Sequence, residues 1–383
     1  MSRAAWILAP EHQPVPVATA PTIRVERMRR WLAGSGYAPE VCSRLGGPGG
    51  DLTVDHASYR RGRGTPRAAL NTVAALVTAP RLAARCLREA PALILANTPV
   101  HAPALALAKL CLGSRVLTVV DVMGLHSLEA KRTTRHHLAR SLHPRAWRAL
   151  ERLLLRSADV VFVVNDRHGE LVREIEPATR PHTLRDCAES RLQVSGTANG
   201  GPVGALSVAF LGALVCGRLD PVLDAWEVLG AEPTAPRLVV VGDGPDLAGH
   251  RRRVAASPAL ARSVTLCGAL PRPQALAAVA SCDVGCSDCW SDAGFPAKAF
   301  EYMALGLPAL IQDRSQVREV LEHGETALLW ADPGELVGQV HALAGDPGLR
   351  ERLGAAGREA LVGAHTEDLR EQRFLATIAT EAR

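Results

Sequence analysis

The sequence predicts an α/β protein of two doubly wound domains, each a parallel sheet covered by helices. Three observations predict it. Short apolar runs such as Val160–Val164 and Arg237–Val241 alternate with segments of helical period. Those runs are apolar on both faces, which suits strands buried between two helical layers. At 47% hydrophobic content, 383 residues are long for one core and sufficient for two.

In chain order the expected strands are Ala5–Ala9, Ala92–Ala96, Val116–Val120, Val160–Val164, Val208–Leu211, Arg237–Val241, Val264–Leu266, Val284–Cys286 and Ala309–Ile311. Helical patterns fall at Arg24–Ser35, Trp147–Arg156, Asp220–Leu229, Ala275–Ala280, Ala297–Ala304 and Leu349–Val362. This alternation is that of Rossmann-like domains. Gln193–Ala205 has no apolar periodicity and is rich in Gly, Ser and Asn, so it reads as a linker. The domains are placed at 1–192 and 204–365, with a final amphipathic helix over 366–383.

Composition narrows the function. Charged residues make up 22%, too balanced with apolar content for a disordered chain. Aromatics are 4%, which argues against a stacking surface for single-stranded nucleic acid. Lys109, Lys131 and Lys298 are the only lysines; the Arg-rich usage, with abundant Ala, Gly and Pro, reads as a GC-rich coding sequence rather than a nucleic-acid motif. The net charge of +5 divides into +11 over residues 1–190 and −6 over 191–383. A basic N-terminal half suggests an anionic partner, phosphate or an acidic membrane surface; the plainer reading is a solvated Arg-rich face. No secretory signal and no apolar run of membrane-spanning length is visible. Nine cysteines at irregular spacing point to reduced thiols and a cytoplasmic location, with peripheral contact at the inner membrane face as a further expectation.

The chemical signal is concentrated in the C-terminal half. In Leu238-Val-Val-Val-Gly242-Asp-Gly244-Pro, two glycines after a strand permit a tight turn and close approach of backbone to a ligand. Next comes Gly294-Phe295-Pro296-Ala297-Lys298-Ala-Phe-Glu301. Pro296 suits the first position of a helix, whose free N–H groups and dipole favour phosphate. Lys298 and Glu301 are three apart on one face, and a carboxylate there is suited to the paired hydroxyls of a ribose. Cys282, Cys286 and Cys289 match the spacing of a four-iron cluster but sit late in the chain, not near the start of a barrel. The pair His136-His137, with His126 and His143, lacks metal spacing, and no metal is expected.

Five blocks in order, VGDGP, VTLCGAL, GFPAKAFEYMALGLPAL, REVLEHGETALLW and DPGLRERLGAAGREAL, resemble the retaining glycosyltransferases of family 4. The resemblance spans about residues 205–365 and extends more weakly upstream through ADVVFVVND and Asp121-Val-Met-Gly124-Leu-His126-Ser-Leu-Glu129. It implies GT-B architecture, two facing Rossmann-like domains, the C-terminal one holding a nucleotide diphosphate sugar. That sugar is a donor substrate, with no cofactor implied. Gly212 and Arg218 would flank the phosphates, and Gly294 to Lys298 would meet sugar and phosphate. Glu301 would hold the ribose; Asp121 and His126 would face the acceptor. The acceptor class is a sugar, a lipid-linked sugar or a small molecule in bacterial envelope glycan, glycolipid or secondary-metabolite synthesis.

Three departures from the family pattern stand out. The first of its two glutamates is replaced by Ala293, beside Asp292. The stretch Gly212-Ala213-Leu-Val-Cys216-Gly217-Arg218 lacks the usual phosphate-facing Arg and Lys. Arg185-Asp186-Cys187 stands where Asn-Gly is common between the domains. These departures motivate an alternative, a non-catalytic relative that regulates a partner enzyme. A nucleotide-sugar epimerase is a third reading. Arg218 or Lys298 is expected to neutralise the diphosphate.

Overall fold

The structure, a computed structural model, describes residues 3–8, 20–42, 79–81, 83–128, 137–188, 205–215, 217–289 and 294–382. Apart from Ala205, the expected linker lies outside these residues, as do Cys216, Asp292, Ala293 and His136. Two compact units emerge. One draws on the described residues before Asp186 together with Glu371–Arg383; the other is formed by those of Asp186–Arg370.

The first unit is a six-stranded parallel sheet of β1 (Arg3–Leu8), β2 (Tyr37–Cys42), β3 (Leu93–Ala96), β4 (Leu117–Val122), β5 (Val160–Val163) and β6 (Pro181–Thr183), in the order β2-β1-β3-β4-β5-β6. Alternate residues project to opposite faces. Ala5, Ile7, Leu93, Leu95, Val160 and Phe162 thus pack on Met28, Trp31 and Leu32 of helix Ala20–Gly34. Phe374 and Ile378 of the last helix, Glu367–Glu381, complete this core. From Glu371 onward the C-terminal segment therefore belongs to the first unit and is not a separate appendage.

The second unit repeats the plan with β7 (Ser207–Leu211), β8 (Arg237–Val241), β9 (Val264–Gly268), β10 (Val284–Ser287), β11 (Ala309–Gln312) and β12 (Leu328–Trp330), ordered β12-β11-β10-β7-β8-β9 and parallel throughout. Val208 and Phe210 face a cluster centred on Trp226; Ala209 and Leu211 face one containing Phe300 and Tyr302. Both faces are buried, so the strands read as unbroken apolar runs.

Strand order reverses between β10 and β7: the chain runs outward from β7 through β8 and β9, then from β10 through β11 and β12. Ligand crevices of open α/β sheets form at such a point, outside the carboxyl ends of the strands.

Candidate functional site

Gly212, Arg218, Asp288 and the helix Lys298–Leu305 gather at that crossing of the second unit. Gly212 follows β7 directly and donates its N–H to Val241 O at 3.1 Å. The loop after β7 then leans on the loop after β8: Leu214 N–H donates to Asp243 O (3.0 Å), and Gly217 N–H to the Asp246 carboxylate (2.8 Å). A Cβ on Gly242 would lie 1.8 Å from Gly212 O, and one on Gly244 2.2 Å from Leu214 O. Gly242 and Gly244 are thus required by close backbone packing between two loops, before any ligand is considered.

The segment after β10 is pinned from the end of β11 and the turn that follows it. Cys289 N–H donates to Gln312 Oε1 at 3.1 Å, and the fully buried Gln316 donates to Gly294 O at 3.1 Å. Gly294 to Ala297 leads into the helix, which begins at Lys298 with Ala297 at its N-cap. Pro296 therefore precedes the cap instead of occupying the first helical position. Ala297 supplies no side-chain cap, and the rings of Phe295 and Phe300 stack 4.8 Å apart beneath the turn.

Glu301 lies in the first turn, with its side chain 10% exposed. Its two oxygens take different cations: Arg272 Nη1 donates to Oε1 at 2.7 Å and Lys298 Nζ to Oε2 at 3.1 Å. Burial pushes the Glu301 carboxyl up, but Lys298 and Arg272 together outweigh it and hold it below the usual carboxylate range. A charged carboxylate with lone pairs beyond these two bonds can still accept hydroxyl donors. Arg272, the first residue of the helix after β9, escaped sequence analysis: only folding brings it to Glu301, 29 residues away.

Neither expected phosphate cation points freely into solvent. Lys298 is on Glu301. Arg218 grips Asp288 through two donors, Nε to Oδ2 at 2.9 Å and Nη2 to Oδ1 at 2.7 Å. Asp288 is buried immediately past β10, so the pair spans the crossing between β7 and β10.

In the first unit, Asp121 is the penultimate residue of β4 and is 1% exposed. Its carboxylate is held by both Nε and Nη2 of Arg24, whose Nη2 also reaches Leu184 O at 3.5 Å. Asp121 thus meets a guanidinium where sequence analysis expected an acceptor-facing acid. It also borders a recess shared with Asn97 and Glu151. His126 stacks on Trp147 with centroids 4.9 Å apart, and burial lowers its pKa to about 4, leaving a neutral ring at pH 7. Glu151 accepts from Ser127 N at 2.9 Å through Oε1, and burial pushes its carboxyl up. The helical pattern marks Glu151 only as one more polar position; its burial is a tertiary property.

Burial also raises the thiols of Cys282 to about 11 and Cys289 to about 12, so both are protonated at neutral pH. Among the described residues no disulfide joins two cysteines, and no group of three or more His, Cys, Asp or Glu side chains is placed to hold a metal ion. No described helix is long and apolar enough to cross a membrane.

Comparison with known proteins agrees with this geometry. The model of the glycosyl transferase 4-like domain matches residues 19–185, and that of glycosyl transferases group 1 matches residues 205–346. Together the two models span more than half of the chain, which belongs to the glycosyl transferases, its C-terminal half matching group 1. Among solved structures it is similar to a sucrose-phosphate synthase from Thermosynechococcus elongatus, with a TM-score of 0.74 at 18% identity, covering 99% of this chain and 98% of that one. HepE of Anabaena in complex with UDP and glucose gives a TM-score of 0.71 at 14% identity, covering 98% and 99%. The lipopolysaccharide outer core galactosyltransferase WaaB gives 0.68 at 13%, covering 99% of each chain. At these identities the likeness is one of fold, the GT-B pairing of two Rossmann-like domains.

Proposed function

We propose that the chain moves a hexosyl group from a nucleoside diphosphate sugar to an acceptor hydroxyl, with retained anomeric configuration and no metal ion. In this reaction the bond from the anomeric carbon to the phosphate oxygen breaks. A bond from that carbon to the acceptor oxygen forms on the same face, the acceptor proton passes to the departing phosphate, and a nucleoside diphosphate leaves. The observation that carries the reading is Glu301, held charged by Arg272 and Lys298 at the start of a helix beside the strand crossing. Its carboxylate is assigned to the ribose hydroxyls. The backbone of Gly294 to Ala297, the helix N-terminus and Arg218 are assigned to the diphosphate, where positive ends of dipoles and cations stabilise the leaving group.

HepE, a fold neighbour, is known in complex with UDP-glucose, and WaaB is a galactosyltransferase. Both support a hexose nucleotide as donor. Asp121 and His126 are assigned to the acceptor side. A sugar, lipid-linked sugar or small molecule fits as acceptor, in envelope glycan, glycolipid or secondary-metabolite synthesis. The basic N-terminal half supports peripheral contact with an anionic membrane surface in a cytoplasmic protein.

The test is Glu301→Ala, with binding of uridine and guanosine diphosphate followed by calorimetry. Loss of the charge-assisted bonds to a ribose weakens affinity about tenfold to a hundredfold. Unchanged affinity in the folded variant removes Glu301 from the ribose site.

A further inference from the structure

We propose that Asp288 stands on Arg218 in the place a phosphate would take, so that a nucleoside diphosphate binds by displacing this carboxylate; the proposal rests on the transferase reading and deepens it. Location is the first argument. Arg218 closes the turn after β7, and Asp288 is the first residue past β10; these two strands are neighbours at the point where strand order reverses. The pair therefore lies just past the carboxyl ends of β7 and β10, where ligands of open α/β sheets bind.

The turn that carries Arg218 is set independently of Asp288. Gly217 adopts φ +72°, its N–H is fixed by the Asp246 carboxylate, and Arg218 N–H returns to Val215 O at 3.2 Å. The backbone thus presents the guanidinium to the crossing whatever its partner. A guanidinium fork matches the paired oxygens of a carboxylate and of a phosphate equally well. Asp288, with its side chain 5% exposed, uses both oxygens on that fork.

Charge decides the direction of the effect. Arg218 and Asp288 cancel, whereas Glu301 carries one negative charge between two cations. An incoming diphosphate thus finds Glu301 surrounded by positive charge but meets a neutralised Arg218, and it must leave Asp288 without its partner. Removing the two carboxylates therefore has opposite consequences. Loss of Glu301 removes the acceptor assigned to the ribose hydroxyls and so weakens nucleotide binding, whereas Asp288 has no such role and loss of its charge frees Arg218 for phosphate and strengthens binding. A purely structural Arg218–Asp288 tie gives no gain, because a freed, disordered Arg218 would then bring nothing to the ligand.

The experiment is calorimetry of the full chain with uridine and guanosine diphosphate. Asp288→Asn is expected to bind about tenfold more tightly than the parent, the scale of one charge-assisted hydrogen bond made available to the ligand. In an Arg218→Ala background the same substitution is expected to give no gain. If Asp288→Asn lowers the melting temperature so far that it does not fold, Asp288→Ser provides the same charge removal in a smaller side chain. Equal or weaker binding by a folded Asp288 variant, while the parent binds, overturns the proposal and leaves the transferase reading in place. No binding by parent and variant alike overturns both.

Discussion

Tyr302 ties together the two strands from which the candidate donor site opens. Its hydroxyl donates to Cys286 O at 2.9 Å and accepts from Leu211 N–H at 3.1 Å, joining the ends of β10 and β7. Burial raises its pKa well above the ordinary phenol value, so it is a neutral donor. The ring lies so close to β10 that a Cβ on Gly285 would come within 2.2 Å of it. Tyr302→Phe keeps the ring and strands one buried N–H and one buried C=O. A cost of about 1–3 kcal/mol is expected, read as a lower denaturation midpoint of the second unit. An unchanged midpoint would mean that water takes over both bonds. Nothing in the sequence marks this residue, because both partners are backbone groups, 91 and 16 positions away. Glu301, one residue earlier, is legible because charge at a helix start after a Gly-Pro turn has few ordinary uses. The cations were legible as residue types and illegible as partners: Arg218 and Lys298 stand out in the sequence, whereas Asp288 and Arg272 acquire meaning only through the sheet.

Among elements, the central strands were legible and three edge strands were not. β2, β6 and β12 end their sheets; β2 and β6 lack the long apolar run that betrays a strand buried on both faces, and β12 is only three residues long. β2 contains Pro39 and Glu40 and β6 begins with Pro181, residues an edge tolerates because one side has no ladder to complete. The helix ending at Arg156 begins at His137, ten residues before the expected Trp147, and contains Pro144, which conceals its first turns. One device recurs in both units. Asp283 accepts from Ser207 N–H (2.8 Å) and Oγ–H (2.6 Å), fastening the start of β10 to that of β7. Asp159 does the same to Thr118, at 2.9 and 2.8 Å, and also pairs with Lys109 at 2.6 Å. Asp283→Ala and Asp159→Ala are each expected to cost about 1–3 kcal/mol, because a backbone N–H loses its charged acceptor. Hydrogen exchange resolved by segment should show lost protection only in the unit that carries the substitution. Equal loss in both units would refute a local role.

At the scale of the whole molecule, charge is the property that sequence counting describes least well. Counting gives the net charge of the N-terminal half but not its placement: Arg24 sits on Asp121, Arg85 on Glu40 and Glu89, Lys109 on Asp159 and Arg156 on Glu176, pairs that cancel within the count and leave the excess to other basic residues. The division of the chain is also only half legible. A domain boundary near residue 190 follows from the Gly-rich stretch, but the return of the C-terminal segment to the first unit does not, since an amphipathic helix does not announce which sheet it covers. Its destination is set by aromatic packing: Phe374 is fully buried, with ring centroids 5.6 Å from Trp31 and 5.3 Å from Phe162. Ile378, one turn on, is 2% exposed in the same core. Removing a buried Phe side chain costs about 3–5 kcal/mol through lost transfer energy and the cavity left behind. For Phe374→Ala, hydrogen exchange is therefore expected to accelerate in helix Ala20–Gly34 and strand β5, the elements bearing Trp31 and Phe162, while β7 and β8 keep their protection. Deleting residues 371–383 is expected to do the same more strongly, because it uncovers Trp31, Phe162 and their neighbours together. If either variant instead loosens the second unit first, the terminal helix is stabilising the sheet it follows in sequence, and the first unit closes its core without it.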